Sequence, residues 1–536
     1  VRTGSIILLV WLSLFTGLAR SAPPVLNWFF PSGGQQGTTV SVKIGGTFPE
    51  WPPQIWCDSK DISLNPTEKN TLSIKLDTKT TPGPKLIRFT NKDGASAIKA
   101  FWVGNIPEIE EKEPNDSHLK PQALEETPVL INGKLGAAGD SDTFAIKAKS
   151  GQVLVAKLQG NQGLESPMDA VLQILSPEGF IVAENHDRFG TDPFIAFPVP
   201  SEGIYKVRLF AFPATPDSSI RFSGGETYIY RLTITTGPYL DHTMPLAIST
   251  GKANSLNAKG WNLKNVDTKI NAKVSDENKA VAITMKGVAG FISLPSTTIP
   301  TEEFTNLEKP LQIDSPKSIS GVLQKPSRQE FELKFKKGAK HLIRVEARNI
   351  GSDLDPLLIL KDSQGKELKR ADDEDKSRDT SMEVSPTDDK PLKLFLADLH
   401  NHFGETFYYK MDVTSVVPDF ELEIDSDAYV SKDAKPVEIP LKIIKKGGFT
   451  GDITVQAIGL PNGWTAENLQ INSKTASPAK LTLKPSEKAD PGFFKVEATC
   501  GTTKKTISRN IPSLQSTVEV FYLSKETKDK KPLPYF

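Results

Sequence analysis

Cysteine is almost missing. Cys57 and Cys500 are the only two in 536 residues, which leaves no disulfide framework, no Cys-x-x-Cys-His haem attachment and no thiolate zinc site. They lie near opposite ends of the chain, so a bridge would require those ends to meet. Both are expected to be free and buried, with a bridge as the alternative. Net charge is missing too, with Lys+Arg 65 against Asp+Glu 65, a balance that argues against a nucleic-acid or anionic-membrane partner. Neither His-Glu-x-x-His nor Gly-x-Ser-x-Gly occurs, so the signatures of zinc and serine hydrolases are lacking and no enzyme is expected. The apolar run Ile6 to Phe15 is shorter than the roughly 20 residues a spanning helix needs.

What is present is strand material. Short Val, Ile, Leu and Phe runs alternate with polar residues and are cut by 40 prolines and 38 glycines, the pattern of many strands and turns. Single cores stop growing beyond roughly 250–300 residues, so several domains are needed. The expected fold class is all-β, a linear chain of about five β-sandwiches, immunoglobulin-like and jelly-roll-like. At the start, Val1-Arg2, the short apolar run and Ala19-Arg20-Ser21-Ala22 have the parts of a secretory signal with cleavage before Ala22. An exported protein follows, in the periplasm, at the cell surface or outside, with no membrane insertion after cleavage.

The chemistry concentrates between Glu111 and Phe144. Glu111-Lys112-Glu113-Pro114-Asn115-Asp116 and Gly139-Asp140-Ser141-Asp142-Thr143-Phe144 place carboxylate and amide oxygens on either side of Ile131-Asn132-Gly133, and Pro and Gly keep both clusters from being helical. Such donors suit calcium, which takes roughly 6–8 oxygen ligands in irregular geometry. A solvated acidic linker is the alternative. Together with Ser166-Pro167-Met168-Asp169 and Gly203-Ile204-Tyr205-Lys206-Val207, these motifs resemble the bacterial pre-peptidase C-terminal domain over residues 107–237. The resemblance implies a small sandwich module of exported proteins. As in the collagenase branch, it also implies an acidic segment that binds calcium and a domain that docks on a protein substrate. By position it implies Glu111, Glu113, Asn115 and Asp116, with Asp140 and Asp142, as ligands. Which of the two turn aspartates serves stays open, because the turn length varies in the family.

The chain also matches itself. Asp169, Leu172, Ile174 and Gly179 match Asp355, Leu358, Leu360 and Gly365 at one constant spacing, and the closing strand Tyr228 to Ile234 matches Phe407 to Val413. Before each copy, Pro31, Gly37 and Gly46 match Pro245, Gly251 and Gly260. This earlier unit is similar to the immunoglobulin-like fold of the transcription-factor and plexin family. The expected divisions are a signal at 1–21, an immunoglobulin-like domain at 22–106, the pre-peptidase-like module at 107–237, a degenerate immunoglobulin-like domain at 238–313, a second pre-peptidase-like module at 314–417, a sandwich at 418–524 and a disordered tail at 525–536. The fifth sandwich, with Val437 to Ile443 and Gly459-Leu460-Pro461-Asn462-Gly463-Trp464, is similar in outline to accessory domains of secreted glycosidases.

The second copy lacks the Glu-Pro-Asn-Asp motif, and Pro326-Ser327-Arg328-Gln329-Glu330-Phe331 replaces the Gly-Asp-x-Asp turn. Arg328 is unfavourable beside a cation, so no metal is expected there. Asp372-Asp373-Glu374-Asp375 reads as a hydrated loop tip before it reads as a second cation site. His400-Asn401-His402 reads as a polar loop rather than a metal site, since a site needs three convergent ligands and supporting partners. Trp51 and Trp56 are weighed as core against ligand platform in favour of core, Trp102 and Trp464 more strongly so. The expected function is a non-catalytic exported scaffold presenting sandwiches to an extracellular protein or polysaccharide, with structural calcium. The alternative is an accessory or targeting subunit of a secreted peptidase or other hydrolase.

Overall fold

The computed structural model describes residues 22–526 apart from 216–217, 219–220, 276–279, 306–308, 326–327, 375–376 and 515. The expected leader, the tail beyond 526, and Pro326, Ser327 and Asp375 therefore lie outside the described residues; the expected start of the tail at 525 is corrected, since Lys525 ends the strand Phe521–Lys525 beside Ser431. Within them the protein is all-β, with one four-residue helical turn, Asn161–Leu164, and two 3-10 turns. No helix among them is long and apolar enough to cross a membrane.

Five sandwiches follow one another. In the first, Thr39–Thr47 buries Val42 and Ile44 while Ser41 and Lys43 face water, the two-residue period of a half-buried strand. Its sheet pairs with Val25–Phe30 and Thr71–Leu76, and faces Gly83–Asn91 and Lys99–Gly104 across Phe29, Phe89 and Phe101. The third sandwich is a reduced copy with two three-stranded sheets. The match between Gly46 and Gly260 has a steric cause. A Cβ at Gly46 would lie 2.0 Å from the Val25 carbonyl oxygen, and one at Gly260 would lie 2.1 Å from that of Tyr239. Each glycine stands opposite a bulge in the first strand of its module, at Asn27 and Asp241 respectively.

The second and fourth modules share one topology. One five-stranded sheet of the second runs Glu108–Glu110, Val129–Lys134, Ile229–Thr235, Val153–Gln159, Phe194–Pro198; the other runs Gln122–Ala123, Asp142–Ala148, Gly203–Pro213, Met168–Leu175, Ile181–Asn185. The fourth module repeats this order beginning with Thr301–Phe304 and Leu311–Ile313. These two short strands pair in parallel with Lys317–Val322 and Gln329–Leu333. The expected boundary between 313 and 314 is thus corrected, since the strands Thr301–Phe304 and Leu311–Ile313 belong to the fourth module. Sequence matching missed them because they are the least similar strands of the repeat.

The modules succeed one another along the sequence, but their arrangement closes in space. The fifth sandwich returns to the first, where the buried Arg88 guanidinium pairs with Asp427 and Arg509 approaches the same carboxylate from the other side. Tyr522 Oη donates to the Asn91 carbonyl at 2.7 Å. The short hairpin Arg509–Ile511 and Ser516–Val518 leaves its sandwich to place Ile511, Leu514 and Val518 against Leu86 and Trp102 of the first module and Leu164 and Ile229 of the second. Trp102 donates Nε1–H to the Gly163 carbonyl at 2.9 Å. It is buried as expected, although in a junction between modules rather than inside one. Trp51 packs on Phe48, Trp56 leans on Phe493 of the fifth module, and Trp464 lies in the fifth core.

The ends meet, yet the cysteines do not. Trp56 precedes Cys57 and lies 6.0 Å from Phe493, whereas Cys500 ends the same strand roughly 20 Å further along at about 3.3 Å per residue. Both thiols are free and half-buried rather than fully buried. Burial pushes the Cys57 thiol up to about 12, which leaves it unreactive at neutral pH.

Candidate metal centre

The acidic segment is a crossing inside one sandwich. Glu108–Glu110 pairs in parallel with Leu130 to Asn132, and Gln122–Ala123 pairs with Phe144 and Ala145 of the opposite sheet. Residues 111–121 therefore run from one sheet of the second module to the other, inside the module rather than between modules. The junction with the first module is held by other groups. The Arg231 guanidinium, 3% exposed, pairs with Glu108 at 2.8 Å, and it occupies the space that a side chain at Gly33 would need.

Five of the six expected residues converge as carboxylates. Oxygens of Glu111, Glu113 and Asp142 lie within 4.8 Å of one another, as do those of Glu113, Asp116 and Asp140, so Glu113 joins the two groups. Both turn aspartates lie in these groups, Asp142 buried and Asp140 half-buried. The sixth residue, Asn115, is buried beside them. Its backbone N–H donates to Glu113 Oε2 at 3.0 Å and its carbonyl accepts from the Thr143 N–H at 3.0 Å. Neither its side-chain oxygen nor its nitrogen has a hydrogen-bond partner, and Asp142 Oδ1 is likewise buried and unpartnered. Unpaired buried polar atoms cost roughly 1–3 kcal/mol each.

The electrostatics are unbalanced in the same direction. Burial, then the Glu111 charge, pushes Asp142 up to about 10, and burial lifts Glu111 to about 7. Glu113 and Asp140 are raised as well, by burial first and neighbouring carboxylates after it. Tyr230 Oη lies 2.8 Å from Glu111 Oε2 and 2.5 Å from Asp142 Oδ2, and one hydroxyl proton cannot satisfy both. Without a cation the cluster sheds charge by keeping a proton, which Asp142 holds and shares with Glu111.

Tyr230 and Gly133 belong to the sequence motifs but not to the expected ligand set. Gly133 stands opposite Tyr230 in the sheet, and a Cβ there would fall 2.2 Å from the phenol and 2.4 Å from Glu111 Oε2. Gly133→Ala is expected to destabilise the module by about 1–3 kcal/mol through overpacking. Differential scanning calorimetry against Gly237→Ala, a control where a Cβ would meet no atom closer than 3.4 Å and the backbone is not left-handed, checks this. The available signal was the repeat itself, in which Tyr230 matches Tyr409.

The second copy shows what replaces the acids. Gly321 faces Tyr409 as Gly133 faces Tyr230, and Gln329 stands opposite Leu396 where Asp142 stands opposite Leu209. Tyr409 Oη donates to Gln329 Oε1, and Gln329 Nε2 donates to the Val322 carbonyl at 2.8 Å. In the place of Glu111, Phe304 packs on Phe331 with ring centroids 5.2 Å apart. Gln329 has no unpartnered side-chain atom there.

The remaining candidates stay dispersed. His400 and His402 are exposed, 3.6 Å from Asp355 and 3.8 Å from Asp398 respectively. Glu374 of the acidic loop pairs with Arg344 at 3.2 Å. Neither joins a group of three close ligand atoms among the described residues.

No family model matches the chain, and no curated protein matches it. Among solved structures it is similar to the mixed-linkage glucan utilization locus protein SGBP-B of Bacteroides ovatus, crystallised with a mixed-linkage heptasaccharide, at 11% identity and a TM-score of 0.16 over 54% of this chain and 66% of that one. Trypsin-activated alpha-2-macroglobulin from Escherichia coli matches at 11% identity and a TM-score of 0.14, over 90% of this chain and 41% of that one. A tetra-tandem repeat of a large adhesion protein matches at 9% identity and a TM-score of 0.14, over 94% and 99%. Likeness at this level assigns neither ligand nor activity.

Proposed function

We propose that this is a non-catalytic exported binding or scaffold protein of the pre-peptidase C-terminal type, presenting chained sandwiches to an extracellular protein or polysaccharide. A calcium ion held by Glu111, Glu113, Asp116, Asp140 and Asp142, with Asn115 beside them, ties the two sheets of the second module together at their open end. The observation that carries the calcium reading is the contrast between the copies. One keeps buried carboxylates and unpartnered polar atoms around Tyr230, and the other fills the same positions with Gln329 and Phe304. A hard cation with oxygen ligands compensates the first arrangement, and the second has nothing to compensate. Glu111 follows a strand of one sheet and Asp142 begins a strand of the other, so a shared ion acts as a cross-link.

Isothermal titration of the full chain with calcium chloride tests this. Binding is expected at one ion per chain, absent in Asp142→Ala and unchanged in Glu330→Ala. An absence of binding heat and of any chelator effect on the melt would sink the metal reading and leave a module with a costly buried acid pair.

A further inference from the structure

We propose that the cleft between the third and fourth modules binds a single sugar ring, the terminal residue of an exposed glycan. This deepens the scaffold reading by naming a ligand class, and it does not depend on the calcium site. The cleft encloses about 210 Å³ between the strands that carry Asp241, His242 and Trp261 and the facing Gln324 and Glu405. Its position, at a seam between modules, is where ligand sites concentrate.

Comparison of the repeated units shows why space exists here. In the first module Trp28 lies across Gly45, so closely that a Cβ on the glycine would be 2.0 Å from the indole. The groove beside that strand is filled. In the third module the paired positions are His242 and Lys259, and the smaller His242 ring stacks on Tyr408 at 3.9 Å. A groove plugged by tryptophan in one copy is open in the other.

The walls are built rather than incidental. Asp241 and His242 side chains are 6% and 9% exposed and joined at 2.8 Å through Oδ2 and Nδ1. Asp241 Oδ1 and His242 Nε2 have no further hydrogen bond among the described residues. The Trp261 ring is backed by Phe194 at 5.0 Å and Tyr239 at 5.9 Å, so it is held as a fixed aromatic wall. Lys259 and Glu405 are exposed at the cleft.

The ligand class follows from this set. Two carboxylates, an ammonium and an imidazole leave no dominant sign, so the cleft does not select a simple anion or cation. A pyranose has apolar C–H faces for an indole and a rim of hydroxyls that carboxylate and amide oxygens accept from. Drug-sized pockets occupy about 300–1,000 Å³. The smaller volume here accommodates one ring, with the rest of the glycan outside.

The test is saturation-transfer NMR on the full chain with glucose, galactose, mannose, N-acetylglucosamine and N-acetylgalactosamine, each as the free sugar. At least one is expected to receive saturation at millimolar concentration. Trp261→Ala should weaken it tenfold or more. Because Trp261 also packs on Phe194, Glu405→Gln and Gln324→Ala, both at exposed positions, are measured beside it. They should weaken binding severalfold with an unchanged melt. No transfer from any of the five, transfer unaffected by all three substitutions, or binding of the dipeptide Gly-Gly in place of every sugar overturns the proposal. Repeating the measurement in Asp142→Ala separates the two sites, since the sugar signal is expected to persist where calcium binding is lost.

Discussion

Asp142→Gln is expected to raise the melting temperature of the calcium-free protein and to abolish its response to calcium. The substitution installs the residue that the second copy already uses against its tyrosine, and it removes the most strongly perturbed carboxyl of the cluster. In the unmodified protein, calcium at 100 times its Kd adds about 2.7 kcal/mol. For a module of this size that is a shift of roughly 5–10 °C. The same acids set a pH dependence in chelator. Asp142 at about 10 and Glu111 at about 7 lie above their ordinary values of 3.8 and 4.5, so the folded state holds more protons than the unfolded one between those limits. Stability in chelator therefore falls as pH rises from about 4 towards 10, by an amount on the order of a few kcal/mol. Calcium opposes the fall because its ligands are deprotonated. Melts at pH 5 and pH 8.5 in EDTA, taken as the difference between the unmodified protein and Asp142→Gln, check the sign. A difference that does not change with pH would mean that the buried pair does not exist in solution.

The second large effect concerns the return of the chain on itself. Asp427 accepts from Arg88 and Arg509, and Arg88 also donates to the Asp427 carbonyl at 3.0 Å and to the Ser96 carbonyl at 3.1 Å. Arg88 is 1% exposed and the Asp427 side chain 7%, so Asp427→Ala leaves a guanidinium buried without its counter-charge. Breaking a buried pair in this way costs about 3–5 kcal/mol. The expected result is a fifth sandwich released from the first, read as an increased radius of gyration in small-angle scattering and a separate, earlier melting transition. Asp419→Ala, which removes a partly exposed partner of Lys505, is the control and should change stability by no more than about 1 kcal/mol. A compact Asp427→Ala with an unchanged melt would show that the closure is held by the remaining contacts, among them Tyr522 to Asn91, Trp56 on Phe493 and the apolar Ile511, Leu514 and Val518.

Much of this was legible along the chain. The two-residue alternation at Val42 and Ile44, the glycines at 46 and 260, and the matched strands around Asp169 and Asp355 reflect steric and burial rules that act within a few residues, so a linear reading captures them. The acidic residues could be named for the same reason, because their oxygen chemistry is written in their identity. Tertiary structure alone decided which of them share a space. It brought Glu111 from one sheet to Asp142 on the other, placed Tyr230 between them, and buried Asp142 and Asn115 with unpartnered side-chain atoms while Glu113 and Asp116 stay exposed. It also decided that Arg88 meets Asp427 and that Trp102 seals a junction between modules. Alternation records that a side chain is buried, but not which surface buries it. A pairing 339 residues apart leaves no periodic trace, because its energy depends on desolvation at a contact that exists only once both modules have folded.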